Sequence, residues 1–575
     1  MKTNPSQNPD QAGSALMITM IMTAVALAIL ASAMVWSASN TKQTHRSIQY
    51  TESVAAAEGA TEKILTRIST DFISGGEKKV KSNLDTYRTN VPAASDSAYW
   101  SQWEFNDAAG HTGRTYVQGA TTTNFTILSS PYTGLRAFIS AYTVVAHARE
   151  LTAMQPVVGG VLQEIDIVSV PIFQFGLFSS DYMETCCAEP YSQRGRVHAN
   201  GKIYAGPDSV LTFLGDVTAT SDILFDRHPL DPRGNPGGSV VYKAGKTFPV
   251  PAMNLPIGTN NTPLAIREII QPPPSGEDPN SLVGQLRYYN QAQMILTVSN
   301  SGISATSGLF NNFATAIPSN ELAVIVTTNK SFTDFRESKT VRPIEIDIAA
   351  FKAWSGSTSN SLRIALGSND VSSIYVLDRR TLPGTSLSAV RLINGTNLPA
   401  NGLTVATARP LYVLGHYNQP TPAFLGTTNT STTLPASLVS DAITILSKNW
   451  NDAYTSSSTR NAAINTVNAA ILTGDVPTTA AAFSGGMENF MRFLEDWSPS
   501  SAIGYNYNGS LVKMFPSQYA TNRWGTGVYS APKRDYTYDI NFDNPTKLPP
   551  LTPKLQWVAR GRWATVAENQ NSTTP

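Results

Sequence analysis

Three carboxylates and an indole crowd the segment MENFMRFLEDW at 487–497: Glu488, Glu495, Asp496 and Trp497. Cleaving a glycosidic bond takes two carboxyl groups that flank it, one of them a proton donor. Trp497 would add a flat apolar platform for a sugar ring. Phe490, Phe493, Leu494 and Trp497 recur at i, i+3, i+4 and i+7, which predicts an amphipathic helix with Glu488 and Glu495 two turns apart. On that helix the bland alternative has Glu488 capping and Glu495 and Asp496 solvated or paired with Arg492. Two histidine–asparagine pairs form the next constellation: His198 with Asn200, and His416 with Asn418. In a strand His198 points opposite to Val197 and Ala199, so this pair is expected to face away from the core, on a ligand-facing or simply polar surface.

Cys186 and Cys187 are the only cysteines and they are adjacent. Such a pair forms a strained vicinal disulfide, an intermolecular bridge or two free thiols, and closes no loop of useful size. The polar flank Glu184, Thr185 and Glu189 predicts an accessible turn with a local conformational role. Glu184, Glu189 and His198 match no zinc spacing, so no metal is expected there. Neither a Gly-rich phosphate loop nor an HExxH or GxSxG motif occurs. The expectation is a non-enzymatic protein without cofactor.

These side chains must be positioned by short strands. In GRVHANGKIYAGPDSVLTFLGDVTATSDI (195–223), apolar triplets alternate with Asn-Gly, Gly-Pro and Gly-Asp turns, and similar triplets return at 374–377, 390–393, 403–406, 411–415 and 442–446. Such recurrence predicts a parallel β-helix, with Val197, Leu211, Val217, Leu403 and Val405 pointing inward. A β-sandwich is the alternative, because Asn-Gly is also a hairpin signal. The Pro- and Gly-rich stretch 226–285 reads as an excursion without helix.

Only 14% of the 575 residues are charged and the net charge is +1, with no basic cluster, which disfavours nucleic-acid binding. From Ser14 to Trp36 the chain holds no charge, Pro or Gly. About 20 such residues cross a bilayer core. Helical spacing continues through Ile48, Val54, Ala55, Ile64, Leu65 and Ile68, with Arg67 and Asp71 as an i,i+4 pair. One helix from Ser14 to about Ser74 would be a rod of roughly 90 Å. A signal peptide cleaved after Ala31-Ser32-Ala33 and a plain single-pass anchor are the alternatives. Lys42 and Arg46 beyond the span leave its orientation open.

Gly13, then Ser14, Ala15 and Leu16, the unbroken apolar helix, Tyr50 and AAAEGATEKI (55–64) resemble the N-terminus of type IV pilus minor pilins and pseudopilins. The resemblance implies cleavage between Gly13 and Ser14 by a prepilin peptidase-like enzyme and, often in that family, N-methylation of the new terminus. It also implies residence in the bacterial inner membrane with the head in the periplasm. The helix would then pack against other pilin-like subunits in a type IV pilus or type II secretion-like filament, reaching the cell surface. The fifth mature residue is commonly Glu in that family and is Ile18 here, as in tip-located members. The segments 401–418, 442–452 and 485–497 further resemble large pilus-assembly-type proteins of planctomycetes and verrucomicrobia.

The expected protein is mainly β with a long N-terminal helix: a leader (1–13), a transmembrane helix (14–36) and a helical stem (37–75). A β-rich region (76–175), a solenoid-like head (176–542) and an extended tail (543–575) follow. Its expected role is structural or adhesive, with a surface glycan as a candidate partner. A membrane-anchored carbohydrate-active enzyme or glycan-binding protein on a β-helix is the alternative.

Overall fold

The computed structural model describes residues 10–571 apart from 130–131, 154–156, 256, 258–261, 307–315, 367–369, 456–459, 499–503 and 526. Its contacts divide the chain into two compact units. One comprises Met1–Asn124, Ile139–Val168 and Gln556–Pro575, and the other Phe125–Phe138 and Ser169–Leu555. The larger unit is therefore formed by two segments, each inserted in the sequence of the smaller one.

In the smaller unit a single helix runs Asp10–Ser82, leaving helical angles only at Gly76 (φ 66°). Its second half is amphipathic in the ordinary sense: Ala56, Ala57, Ala60, Ile64, Ile68 and Phe72 are buried at helical spacing. This stripe packs on strands Trp103–Asn106, Arg136–Glu150, Gly159–Pro171 and Lys554–Val566, which are neighbours in that order in one sheet. A glycine permits the closest approach. A Cβ on Gly159 would lie 2.5 Å from the Val54 nitrogen, and next to it the Ser53 hydroxyl donates to the Val157 carbonyl at 2.8 Å. Asp71 is buried and accepts from Asn83 and Tyr87, both at 2.9 Å, with Lys79 and Arg67 at 3.2 and 3.5 Å. Burial opposes its charge, but these donors and cations hold its carboxyl below the usual range. The Arg67–Asp71 pair is present as the spacing indicated.

The larger unit is β-rich and dominated by parallel pairs. From Leu177–Ser179 one run of strands steps through Val197–Ala199 and Val217–Ala219 to Lys246–Thr247, each pair parallel. A second run steps from Met294–Ser299 through Ser373–Asp378, Leu403–Thr407, Ala436–Ser440 and Ala470–Asp475 to Leu511–Pro516. The two runs meet where Leu511 pairs in parallel with Leu177, giving one sheet of 11 strands whose outer end is closed by the antiparallel strand Gly302–Thr306. Register aligns one apolar ladder through both runs: Met294, Ile374, Val405, Leu438, Ile471, Leu511, Leu177, Val197 and Val217, all buried in one cluster. A second parallel sheet is joined in the same way, where Tyr191–Arg194 pairs with Lys533–Tyr538. The inward residues expected from sequence, Val197, Leu211, Val217, Leu403 and Val405, are all buried.

Three sequence expectations give way. Residues 487–497 do not form a helix: Met487–Asn489 is one 3₁₀ turn and Met491–Phe493 is a strand parallel to Ile443–Leu446. Phe490, Met491, Phe493 and Leu494 are apolar because that strand is covered on both faces, a pattern that mimics helical spacing over a short window. The stretch 226–285 contains helices Pro263–Glu268 and Leu282–Leu286, with Thr262 and Ser281 as N-caps, and strands Ser239–Tyr242 and Lys246–Thr247. Within the expected tail, Lys554–Val566 is a 13-residue strand of the smaller unit's sheet, and Arg560 pairs with Glu62 of the helix at 2.7 Å.

Candidate functional site

The first half of the helix carries the largest unsatisfied feature of the smaller unit. Between Leu16 and Trp36 its large apolar side chains are exposed, from 49% at Val25 to 70% at Met20. The span is long and apolar enough to cross a membrane. Two of its hydroxyls are satisfied within the helix: Thr19 donates to the Ala15 carbonyl at 3.1 Å and Thr23 to the Thr19 carbonyl at 2.7 Å. Val25, Ala28, Ile29, Ser32, Ala33 and Trp36 line a shallow apolar groove on this helix, with small residues on its floor. Small residues are what allow two helix backbones to approach inside a membrane. The Gly13–Ser14 bond lies within the same helix.

The histidine–asparagine pairs are internal fasteners. His198 does face away from Val197 and Ala199, but it is fully buried, between Phe178 (5.7 Å) and Phe175 (6.2 Å). Beside it, Asn200 holds the Met253 backbone through both of its amide atoms, at 3.0 and 2.8 Å. His198 contacts Asn200 at 2.9 Å and Thr218 at 2.8 Å, and burial pushes its pKa down to about 4. Asn418, at φ 55°, bonds Leu434 and Asn468, and Asn508 continues the ladder to Asn468. His416 is half-buried and accepts from the Thr466 amide at 3.2 Å. Burial, with Lys448 nearby, lowers its pKa.

The acidic segment is likewise interior, which overturns its expected solvent-facing role. Glu488 accepts from the Cys186 amide at 3.1 and 3.2 Å, and Glu495 from the Ser447 amide and hydroxyl at 2.5 and 2.7 Å. Burial pushes both carboxyls up to about 7. Arg492 pairs with Glu337 at 2.6 Å and not with Glu495 or Asp496. Asp496 is half-buried, receiving the Ser498 amide and hydroxyl at 3.0 and 2.6 Å. Trp497 is 1% exposed and packs edge-on to Phe493 at 5.6 Å, leaving no ring face for a sugar. Two carboxyls sealed in the core cannot flank a glycosidic bond. The cysteines are buried free thiols and not an accessible turn, because Thr185 to Cys187 lie where the two runs abut.

The sequence places Glu184 on an accessible polar flank, and the structure buries it. It sits one residue from the core-facing Met183, yet its carboxyl is buried and accepts from Thr478 at 2.7 Å and Ser484 at 3.1 Å across the junction of the runs. Burial pushes it up to about 7. Its partners lie so far along the chain that no local pattern could reveal them. No family model, no curated protein and no solved structure matches the chain.

Proposed function

We propose that this protein is a membrane-rooted, pilin-like subunit that displays a β-solenoid head outside the cytoplasm, held first by lipid and then by the helices of neighbouring subunits. The observation that carries this reading is the division of one continuous helix: one face of residues 56–72 is buried on their own sheet, whereas Leu16 to Trp36 are bare all round. An exposed apolar surface of that length needs lipid or protein around it. The groove at Val25, Ala28 and Ala33 supports close helix contacts after extraction from the membrane. The Gly13–Ser14 processing site and periplasmic head follow from the resemblance of the N-terminus. The solenoid is supported by the parallel register and by the apolar ladder through both runs.

Single cysteines at Ala24, Ala28 or Ala33 in a Cys186→Ser, Cys187→Ser background test the helix partnership by oxidative cross-linking in intact membranes. Cross-linking that depends on helix face supports the proposal. Extraction of the protein from membranes by alkaline carbonate, with no cross-link at any of the three positions, would sink it.

A further inference from the structure

We propose that a neutral, polyhydroxylated ligand, a short neutral saccharide, binds in a polar cavity of about 330 Å³ on the three-stranded sheet of the larger unit. Strands Met183–Thr185, Ile203–Ala205 and Ile223–Leu224 pair in parallel, so Glu184, Tyr204 and Leu224 fall in register. Met183, Ile203 and Ile223 belong to the core, which puts Glu184, Tyr204 and Leu224 on the opposite face. The segment after Leu224 returns over that face and lines the cavity with Asp226, Arg227, His228, Asp231 and Arg233, beside Lys202 and Tyr204. His228 stands between the rings of Tyr182 at 4.8 Å and Tyr204 at 5.2 Å.

The charges around this cavity are largely spent on one another. Lys202 pairs with Asp222 at 3.0 Å, Arg233 with Asp231 at 2.6 Å, and Arg227 with Asp208. An ion entering would meet cations already neutralised. Hydrogen-bonding capacity is what remains. Lys202, its side chain 45% exposed, spends one of three ammonium protons on Asp222, and the exposed Asp226 carboxylate accepts from the Arg227 amide at 2.8 Å through one of its two oxygens. Hydroxyl groups both donate and accept, which suits a lining with spare ammonium protons at Lys202, a spare carboxylate oxygen at Asp226 and the Tyr204 ring. The ligand-facing residues expected from sequence are buried or half-buried; this cavity is open and lies elsewhere.

The test uses the full chain in detergent micelles, titrated with neutral di- to tetrasaccharides of glucose, galactose, mannose and N-acetylglucosamine. Inorganic phosphate and galacturonate serve as charged controls, with binding followed by calorimetry and by tyrosine fluorescence. At least one neutral saccharide should bind, and Tyr204→Ala and Asp226→Ala should each weaken it by about tenfold. Asp226 is exposed, so Asp226→Ala keeps the test valid if Tyr204→Ala fails to fold. No binding by any neutral saccharide, binding unchanged in both variants, or tighter binding of a charged control would overturn the proposal.

Discussion

Leu177 and Leu511 are register partners in a parallel pair, although almost the whole larger unit lies between them in sequence. Both are fully buried in the same ladder, so this one contact joins the outgoing run of strands to the returning one. The larger unit is thereby closed by residues from its two ends, and its stability should be unusually sensitive there.

Replacing Leu511 with Ala should cost about 2–5 kcal/mol, the range for a large-to-small change in a packed core. Leu511→Asp should abolish folding of the larger unit, because a buried unpaired charge is far more expensive. Urea titration followed by tryptophan fluorescence reads both. A change below about 0.5 kcal/mol for Leu511→Ala would place the junction elsewhere.

The inward positions Val197, Leu211, Val217, Leu403 and Val405 were legible in sequence because each sits in a triplet bounded by turn residues. The long apolar helix was legible because nothing interrupts it. What failed was everything decided at a distance. His198 faces the expected way but is covered by the rings of Phe175 and Phe178. Phe490 to Leu494 looked helical because a strand buried on both faces has no period-two signature. Cys186 and Glu184 read as surface residues because their neighbours in sequence are polar, while their neighbours in space, Glu488, Thr478 and Ser484, come from far along the chain.

Glu488 gives a pH dependence with a definite sign. Burial raises its carboxyl from about 4.5 to about 7, so the folded state holds a proton that the unfolded chain releases. Its contribution is fully present below about pH 4.5 and is lost as pH rises towards 7. Glu184 and Glu495, also raised to about 7, act in the same sense, and His198, depressed to about 4, in the opposite one, so the total slope sums several groups. Glu488→Gln isolates one term. Relative to the unsubstituted protein, this variant should gain on the order of 3 kcal/mol between pH 4.5 and pH 8. A stability difference that does not change with pH would contradict the buried, protonated state of Glu488.

Gly159 is the point where the smaller unit's sheet touches the helix backbone. A methyl group there meets the Val54 nitrogen at 2.5 Å, and backbone cannot swing aside as a side chain can. Gly159→Ala should destabilise the packing of residues 53–72 by about 1–3 kcal/mol while leaving the larger unit intact. Hydrogen exchange should report faster exchange in that helix segment alone. Unchanged exchange there would show that the helix is held by other contacts.

Cys186 and Cys187 should be silent in the native protein. Burial, reinforced by Glu488, raises both thiols, with Cys187 pushed up to about 12. Neither is exposed, and both are free. An aromatic disulfide reagent should label neither thiol at pH 8 until urea unfolds the larger unit, and then label both. Rapid labelling of the folded protein would contradict the buried arrangement.

The proposed pilin-like role stands or falls on what happens between Gly13 and Ser14. Mass spectrometry of the N-terminal peptide, taken from protein isolated from its native membranes, reads this directly. A mature chain beginning at Ser14 is the predicted result. A chain that keeps Met1, or one that begins after Ala33, would contradict it.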